Sequence, residues 1–355
     1  MRANVFLAIF LACCAPAQLR ADGFDDLRRG IPGFTAVTPG AALEFPRDYG
    51  AHRGFRTEWW YLTANLHDAS GASYGVQWTL FRFRLAPDPE VMGWADRTVF
   101  MGHAAATSAS EHLFTETLAR GGIGQAGVTA RPFRAFIDDW SLETRSEDPE
   151  AGISRLTVAA SGEQFRYRLD LTADTPLVLQ GDKGYSRKSE SGQASYYFSQ
   201  PFYTVEGELV LHGAPIKVTG RAWMDREWSS QPLSPDQKGW DWFSLHLSSG
   251  EKLMLFRLRS VAERDFIAGN WIGADGASQQ LAPDDISIEP LTTTKLQAAT
   301  LPTRWRVGVK SRGLTIETTP LNPASWMATR SSYWEGPIRF TGSHSGEGYL
   351  EMTGY

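Results

Sequence analysis

Two stretches of this sequence are nearly alike. Residues 58–85 read EWWYLTANLHDASGASYGVQWTLFRFRL, and residues 239–260 read GWDWFSLHLSSGEKLMLFRLRS. Each stretch has tryptophan beside another aromatic residue near its start, a polar segment containing Ser and Gly, and a final Leu-Phe-Arg-x-Arg. Apolar runs on either side of such a polar segment are typical of two antiparallel strands joined by a turn. The sequence therefore predicts the same β-hairpin twice.

The two hairpins can be aligned on their tryptophans. Placing Trp60 opposite Trp242 pairs the LFRFR of residues 80–84 with the LFRLR of residues 255–259, with a longer turn in the first copy. The simplest account of this duplication is two related domains in tandem. Closing a sheet into a barrel removes exposed strand edges, and a barrel of roughly eight strands can hold one small ligand. The sequence therefore predicts an all-β fold of two tandem antiparallel β-barrels.

Short apolar alternations, broken by Gly, Asp, Ser and Pro, recur along the rest of the chain, and helical signals are sparse. Many short strands at regular spacing favour sandwiches or barrels. The polar stretch Ser229–Lys238 predicts a boundary, with one barrel over residues 22–228, including an extended leader, and another over residues 239–355. The predicted strands are Glu58–Leu66, Tyr74–Leu85, Thr98–Ser108, Arg155–Ala160, Gln164–Ala173, Tyr203–His212, Ile216–Asp225, Asp241–Leu247, Lys252–Val261, Phe266–Ile272, Ile286–Pro290, Leu301–Val309, Leu314–Thr318, Ser332–Thr341 and Gly348–Thr353.

Composition limits the possible partners. The 355 residues carry a net charge of −5 and show no basic cluster, which argues against a nucleic acid partner. The 13 tryptophans are unusually many for a chain of this length. They either fill large β-cores or line a pocket for a flat or long apolar ligand. Such a pocket could lie inside the first barrel or between the two.

The first residues, MRANVFLAIFLACCAPAQ, have the pattern of a secretory signal with cleavage after Ala17. Their apolar run is too short to span a membrane, and no later stretch is long and apolar enough. We therefore expect a periplasmic or secreted protein whose mature chain has no transmembrane segment. Cleavage there removes both cysteines, Cys13 and Cys14, and with them any disulfide or thiolate zinc site. The alternative is a lipoprotein anchored at Cys13.

Several long motifs resemble the AttH-like/carotenoid 1,2-hydratase family. The resemblance implies a pair of lipocalin-like barrels. It further implies a hydratase that adds water to a terminal isoprenoid double bond, a relative that folds polyenes into rings, or an accessory protein of an export system. The motifs are Glu58–Tyr61, Gly75–Arg82, His103, Thr219–Trp228, Gly239–Trp242, Tyr333–Gly336 and Gly348–Tyr355.

One strand departs from the hydratase pattern. The resemblance implies a histidine in the aromatic strand before the W-x-D motif, but residues 195–201 read SYYFSQP. A tyrosine can donate a hydrogen bond or position water, yet it is a poor proton carrier at neutral pH. This departure argues against a direct transfer of the hydratase activity.

Asp225 is the main candidate for a catalytic acid. On an alternating strand over residues 221–227, Trp223, Asp225 and Glu227 share one face, and the Cα atoms of the two acids are about 6.5–7 Å apart. Neighbouring carboxylates and apolar walls both raise a carboxyl pKa, so that a protonated acid could protonate an alkene. Aromatic faces would then stabilise the cation until water captures it. The alternative is a structural role, with the two acids paired to Arg221 and Arg226.

Glu58 and His103 are the other catalytic candidates. Glu58 opens a strand beside Trp60 and is either a pocket acid or the ion-pair partner of an arginine such as Arg82. His103 lies among small residues, where a histidine is either a base or a hydrogen-bonded core residue. The residues expected to bind the ligand are Trp60, Tyr61, Arg82, Tyr197, Trp223, Glu227, Trp242 and Tyr333.

No motif of another enzyme class occurs in its usual setting. The G-x-S-x-G match at residues 71–75 lies in the polar turn of the first predicted hairpin and lacks the strand–helix setting of an α/β-hydrolase. There is no H-E-x-x-H and no Gly-rich phosphate loop before a helix, so neither a metal nor another cofactor is expected. Two hypotheses remain. In the first, an exported protein binds a hydrophobic, isoprenoid- or lipid-like molecule, with an export system as a possible partner. In the second, a lyase or cyclase protonates an alkene through Asp225.

Overall fold

The computed structural model describes residues 30–355 except residues 90, 92, 149–150, 232–235, 263 and 298, so the predicted signal segment lies outside the described residues. The chain is built almost entirely of antiparallel strands. The strands are β1 Thr57–His67, β2 Ser73–Arg84, β3 Thr98–Thr107, β4 His112–Arg120, β5 Ala126–Ala130, β6 Phe133–Ile137, β7 Trp140–Thr144, β8 Arg155–Ser161, β9 Phe165–Thr172, β10 Val178–Leu179, β11 Tyr185–Arg187, β12 Ala194–Leu211, β13 Ala214–Ser229, β14 Gln237–Leu247, β15 Lys252–Ser260, β16 Phe266–Ile272, β17 Ser278–Gln280, β18 Ile286–Lys295, β19 Thr300–Val309, β20 Leu314–Pro320, β21 Trp326–Met327, β22 Tyr333–Gly342 and β23 Gly346–Thr353.

Helices contribute little to the described part of the chain. They are short 3₁₀ turns at Arg47–Tyr49, Gly93–Ala95, Pro283–Asp285 and Lys310–Arg312. Among the described residues, none of the helices has the length and apolar character needed to cross a bilayer.

The strands form two barrel-like sheets. The first has thirteen strands in the order β4-β3-β2-β1-β13-β12-β9-β8-β7-β6-β5, with β10 and β11 also paired to β12. The second has ten strands in the order β17-β16-β15-β14-β23-β22-β20-β19-β18, with β21 paired to β22. The predicted all-β class with two lipocalin-like barrels is confirmed, while the predicted domain limits at 22–228 and 239–355 stay a prediction.

Each barrel surrounds its own apolar core, because side chains alternate between the two faces of its strands. In β1, Trp60 and Leu62 point into the first core and are fully buried, whereas Tyr61 between them points outward. In β14, Phe243 and Leu245 occupy the second core in the same way. Burying one face of each strand fixes its register, because a slip of one residue would turn every core side chain outward.

The predicted alignment of Trp60 with Trp242 is wrong by one residue. Trp60 lies in the first core, but Trp242 lies outside the second core, in the cluster between the barrels. The side chain equivalent to Trp242 is therefore Trp59, and Glu58 is equivalent to Asp241. Because side chains alternate with a period of two, a shift of one residue exchanges the inner and outer faces of the strand.

The corrected alignment is supported by two equivalent ion pairs. Glu58 lies directly opposite Arg82 on β2, and Asp241 lies directly opposite Arg257 on β15. In each pair an arginine nitrogen lies 2.7 Å from a carboxylate oxygen. Glu58 also accepts a hydrogen bond from Arg226 on β13. Burial alone would raise the Glu58 pKa, but the attraction of Arg226 and Arg82 outweighs it and lowers that pKa.

The outer face of β1 packs against β22 and β23 of the second barrel and joins the two barrels. Tyr61 donates a hydrogen bond to Glu335 Oε1 at 2.6 Å, and Asn65 donates one to the Gly348 carbonyl at 2.9 Å. On β2, a Cβ at Gly75 would collide with the Tyr349 hydroxyl and with the ring of Pro337, so only glycine permits this close approach. We call this contact the seam.

We predict that Glu58→Gln lowers the free energy of unfolding by about 3–5 kcal/mol, because it removes the carboxylate charge that faces the buried guanidinium groups of Arg82 and Arg226. Urea unfolding at neutral pH measures the change. The matched control is Asp88→Asn, which removes a carboxylate from an exposed pair with Arg97 and is expected to cost less than about 1 kcal/mol. Equal effects of the two variants would contradict the prediction.

Candidate functional site at the seam

A cavity lies between the two barrels, next to the seam. The volume open to the centre of a water molecule is about 190 Å³. Its walls are mainly apolar and aromatic. The lining residues are Thr57, Trp59, Tyr61, Phe81, Phe83, Met101, His103, Lys188, Gln193, Ala194, Ser195, Tyr197, Asp225, Glu227, Ser229, Gln231, Trp240, Trp242, Phe256, Leu258, Ser331, Tyr333, Glu351 and Thr353. The sequence left open whether the pocket lies inside the first barrel or between the two barrels. This cavity lies between them.

Equivalent strands of the two barrels supply equivalent carboxyl groups to the cavity. Glu227 on β13 lies opposite Trp59 on β1, and Glu351 on β23 lies opposite Trp242 on β14. These positions correspond to each other in the corrected alignment. Each barrel thus brings one tryptophan and one carboxyl group to the same cavity wall.

Asp225 accepts hydrogen bonds from three neighbouring side chains. Its carboxyl accepts bonds from the Tyr197 hydroxyl at 2.7 Å, from the Trp223 indole nitrogen at 2.6 Å and from the Ser199 hydroxyl. Burial raises its pKa to about 7, even though all three donors lower it. Three donors aimed at one carboxyl stabilise its ionised form, so Asp225 is held close to the balance between its two protonation states.

Glu335 and Glu351 form a second acidic group on the side of the C-terminal barrel. They lie directly opposite each other on β22 and β23, where Glu335 is buried and Glu351 is half-buried. Glu351 accepts a hydrogen bond from the Trp240 indole, and burial raises its pKa to about 7. Burial, and then the charge of Glu351, raise the Glu335 pKa well above its ordinary value. Oε2 of Glu335 is buried without a hydrogen-bond partner, which favours a protonated carboxyl at this position.

Glu227 differs from these acids because it has a cation. Its Oε1 lies 2.8 Å from Lys188 Nζ and accepts a hydrogen bond from the Ser195 hydroxyl. The Lys188 ammonium also lies over the rings of Tyr197 and Phe256, at 5.0 and 4.4 Å from their centroids. The ion pair gives the Glu227 carboxylate a counter-charge on the cavity wall.

Three buried tyrosines complete the polar lining. Burial raises the pKa values of Tyr61, Tyr197 and Tyr333 well above the ordinary value. They are therefore neutral phenols. Tyr61 donates a hydrogen bond to Glu335 and Tyr197 donates one to Asp225, while the Tyr333 hydroxyl lies 3.0 Å from His103 Nδ1. Tyr197 lies in the aromatic strand where the hydratase pattern implied a histidine, and it acts there as a hydrogen-bond donor to Asp225.

Most of the residues predicted from the sequence come together in this cavity. Trp223 lies behind its wall, where it hydrogen-bonds Asp225. Glu58 and Arg82 form an ion pair with each other, and Trp60 donates a hydrogen bond to the Tyr49 carbonyl from within the first core. The predicted residues on the cavity wall are Tyr61, His103, Tyr197, Asp225, Glu227, Trp242 and Tyr333.

The sequence analysis missed Glu335, Glu351, Trp59 and Trp240 as site residues. Glu351 could have been found, because the corrected alignment makes it the counterpart of Glu227. The described residues show no group of three or more His, Cys, Asp and Glu side chains arranged to hold a metal ion.

Comparisons with known proteins place the chain in a family. The sequence model described as AttH-like matches residues 36–355. The chain belongs to the AttH-like family. A crystal structure of AttH from Nitrosomonas europaea shares 35% identity and superposes with a TM-score of 0.81, over 91% of this chain and 99% of that one.

A second solved structure is more distant from this AttH-like chain. Kievitone hydratase from Nectria haematococca shares 17% identity, with a TM-score of 0.68 over 91% of this chain and 97% of that one. At this identity the likeness shows a common fold. No curated protein matches the chain.

We predict that the free energy of unfolding falls as the pH rises from about 5 to 8. The pKa values of Asp225 and Glu351 in the folded protein lie above those of the unfolded chain, so the folded protein binds more protons in this window. The stabilisation is complete below the unfolded pKa values and is lost as the pH rises through the folded ones. Glu351→Gln is expected to remove roughly 3 kcal/mol of this dependence.

Urea unfolding at several pH values measures this slope. The matched control is Glu317→Gln on β20, because Glu317 is half exposed and bonded to Arg306. The control should keep the wild-type slope. A wild-type slope that is no steeper than the slope of Glu351→Gln would contradict the raised pKa of this acid.

Proposed function

We propose that the cavity at the seam binds an apolar ligand of isoprenoid or polyene type and protonates one of its double bonds, as a hydratase or cyclase would. The observation that carries this proposal is the presence of Asp225 and Glu351, both with pKa values of about 7, on the wall of one largely aromatic cavity.

The cavity lining matches the needs of such a ligand. Trp59, Trp242, Phe81 and Phe256 present large apolar surfaces, which favour binding of a hydrocarbon chain. The faces of these rings are negative in potential and stabilise a nearby cation. A carbocation formed in the cavity would therefore meet aromatic rings before it meets bulk water.

The environments of the two acids suit two roles. Glu351 accepts one indole hydrogen bond and lies opposite protonated Glu335, so it is the better proton donor. Asp225 accepts three hydrogen bonds, so it is better suited to remain a carboxylate. Two titratable groups whose surroundings favour opposite protonation states are the usual basis of an acid–base pair.

The reaction follows from these roles. The Glu351 carboxyl proton adds to one alkene carbon, the π electrons form the new C–H bond, and a tertiary cation remains on the other carbon. Water then attacks this cation while Asp225 accepts a proton from it, which gives an alcohol. If a second double bond attacks the cation instead, a ring closes and Asp225 accepts a proton from the neighbouring carbon. Atoms and charge balance in both cases, without a cofactor.

The comparisons agree with this proposal at the level of the fold. The fold is shared with kievitone hydratase, whose name describes the addition of water. We extend that reaction class, and not its substrate, to this chain. We also propose a periplasmic or secreted location, which rests on the signal pattern of residues 1–17 alone.

Simple ligand binding is the second candidate function, and the aromatic cavity itself favours it. A carrier needs the same apolar walls but needs no proton donor. The two functions differ in what a carboxyl-to-amide change does, since an amide fills the same space and still accepts a hydrogen bond but cannot transfer a proton at neutral pH.

We predict that Glu351→Gln and Asp225→Asn each lower turnover by about 10²–10⁴-fold while ligand affinity changes little. Acyclic isoprenoids, beginning with geraniol and squalene, serve as probes in deuterated water, where mass spectrometry detects deuterium on carbon in the product. Quenching of tryptophan fluorescence measures affinity. The matched control is Glu317→Gln, which should retain both activities.

Native mass spectrometry of the protein from its own host identifies the bound ligand and extends the probe set. Tight binding of that ligand by the wild-type protein, without deuterium incorporation or other product, would favour the carrier and overturn the acid chemistry.

A further inference from the structure

We propose that Glu116, His103 and Tyr333 form a proton path from the outer surface of the first barrel to the Glu335–Glu351 pair. The proposal deepens the proposed function, because a cavity acid that gives up its proton must regain one. The path is assigned here from hydrogen-bond geometry that crosses the seam.

The outer end of the path is Glu116 on β4. Its side chain is 16% exposed, and it lies directly opposite His103 on β3. Glu116 Oε2 is 3.1 Å from His103 Nε2, and the backbone nitrogen of Arg330 donates a hydrogen bond to the same oxygen. Solvent can therefore exchange protons with Glu116, and Glu116 can exchange them with the histidine ring.

The middle of the path is the His103 ring, whose side chain is only 1% exposed. Its second nitrogen, Nδ1, lies 3.0 Å from the Tyr333 hydroxyl on β22. Both ring nitrogens thus have partners that can give or take a proton, one in each barrel. Imidazole is the side chain best suited to pass protons near neutral pH.

The inner end of the path is the Glu335–Glu351 pair. Tyr333 and Glu335 are two residues apart on β22, so their side chains lie on the same face of the strand, and Glu335 lies opposite Glu351 on the next strand. Neither acid has an ion-pair partner among the salt bridges of the described residues. A proton that reaches Glu335 is therefore adjacent to the acid on the cavity wall.

Each transfer along the path conserves charge and protons. Glu116, or water beside it, gives a proton to His103 Nε2, and the ring releases the proton on Nδ1 to the Tyr333 oxygen. The Tyr333 hydroxyl passes its own proton to Glu335. Reversal of these steps carries a proton outward, so the path works without any change in net charge at the tyrosine.

The same contacts could have a purely structural role, because the His103–Tyr333 contact also joins the two barrels. The two readings differ in the exchange rate of the Glu335 proton with solvent. Tyr61 provides the matched control, since its hydroxyl is also bonded to Glu335 at 2.6 Å but has no contact with His103 among the hydrogen bonds of the described residues.

The experiment follows the carbonyl stretch of the protonated Glu335 carboxyl by infrared spectroscopy after rapid mixing with deuterated water. Glu335→Gln identifies the band. We expect Tyr333→Phe and His103→Phe to slow its deuteration on the order of 10²-fold, and Tyr61→Phe to leave the rate close to that of the wild type. Thermal unfolding reports the structural contribution of each hydroxyl separately.

Glu116→Gln adds a variant at the partly exposed end, where folding is least at risk, and it should also slow the exchange. Equal rates in the Tyr333→Phe and Tyr61→Phe variants would overturn the path, as would an unchanged rate in Glu116→Gln. Absence of the Glu335 band would overturn it too. None of these measurements uses a substrate, so lack of turnover by the wild-type protein would refute the proposed function and leave the path intact.

Discussion

The whole site depends on one packing contact, the outer face of β1 against β22 and β23. The central strands at this contact bury both faces, with one face in a barrel core and the other at the seam. Tyr61 and Asn65 satisfy polar groups across the contact, and Gly75 lets the backbones approach. Without this contact the carboxyl groups of Asp225, Glu335 and Glu351 would be exposed to water.

The same contact explains why the acids differ from the ion pairs nearby. Glu58 and Asp241 point into the barrels, where arginines lie directly opposite them. Glu335 and Glu351 point to the seam, where the neighbouring groups are tyrosines and tryptophans. Arginines thus lower the pKa of Glu58 inside the first barrel, whereas burial beside tyrosines and tryptophans raises the pKa values of Glu335 and Glu351 at the seam.

Much of the fold could be predicted from the sequence, because β1, β2, β14 and β15 have strong alternation and polar turns. The weaker strands were missed for a physical reason. Strand β4 is half buried along most of its length, and β5, β6 and β7 have only five residues each, so their alternation is short or faint. The all-β class is predicted correctly without these strands, since the long strands alone determine two antiparallel sheets.

The site could be predicted only in part. Asp225 was found because its strand carries the acids and Trp223 on one face. Which outer faces meet at the seam depends on contacts over more than 200 residues, such as Tyr61 with Glu335, and short-range patterns carry no such information. The alignment error of one residue also hid the equivalence of Glu227 and Glu351.

The walls of the cavity belong to two different barrels. A ligand too large for the cavity would push the two barrels apart and let water reach the acids. Hydration would return the acids to their ordinary strength, and they would lose their protons before reaching an alkene. Under the proposed function, a poorly fitting ligand would therefore meet ionised carboxylates, and only a well-fitting ligand would meet a protonated acid.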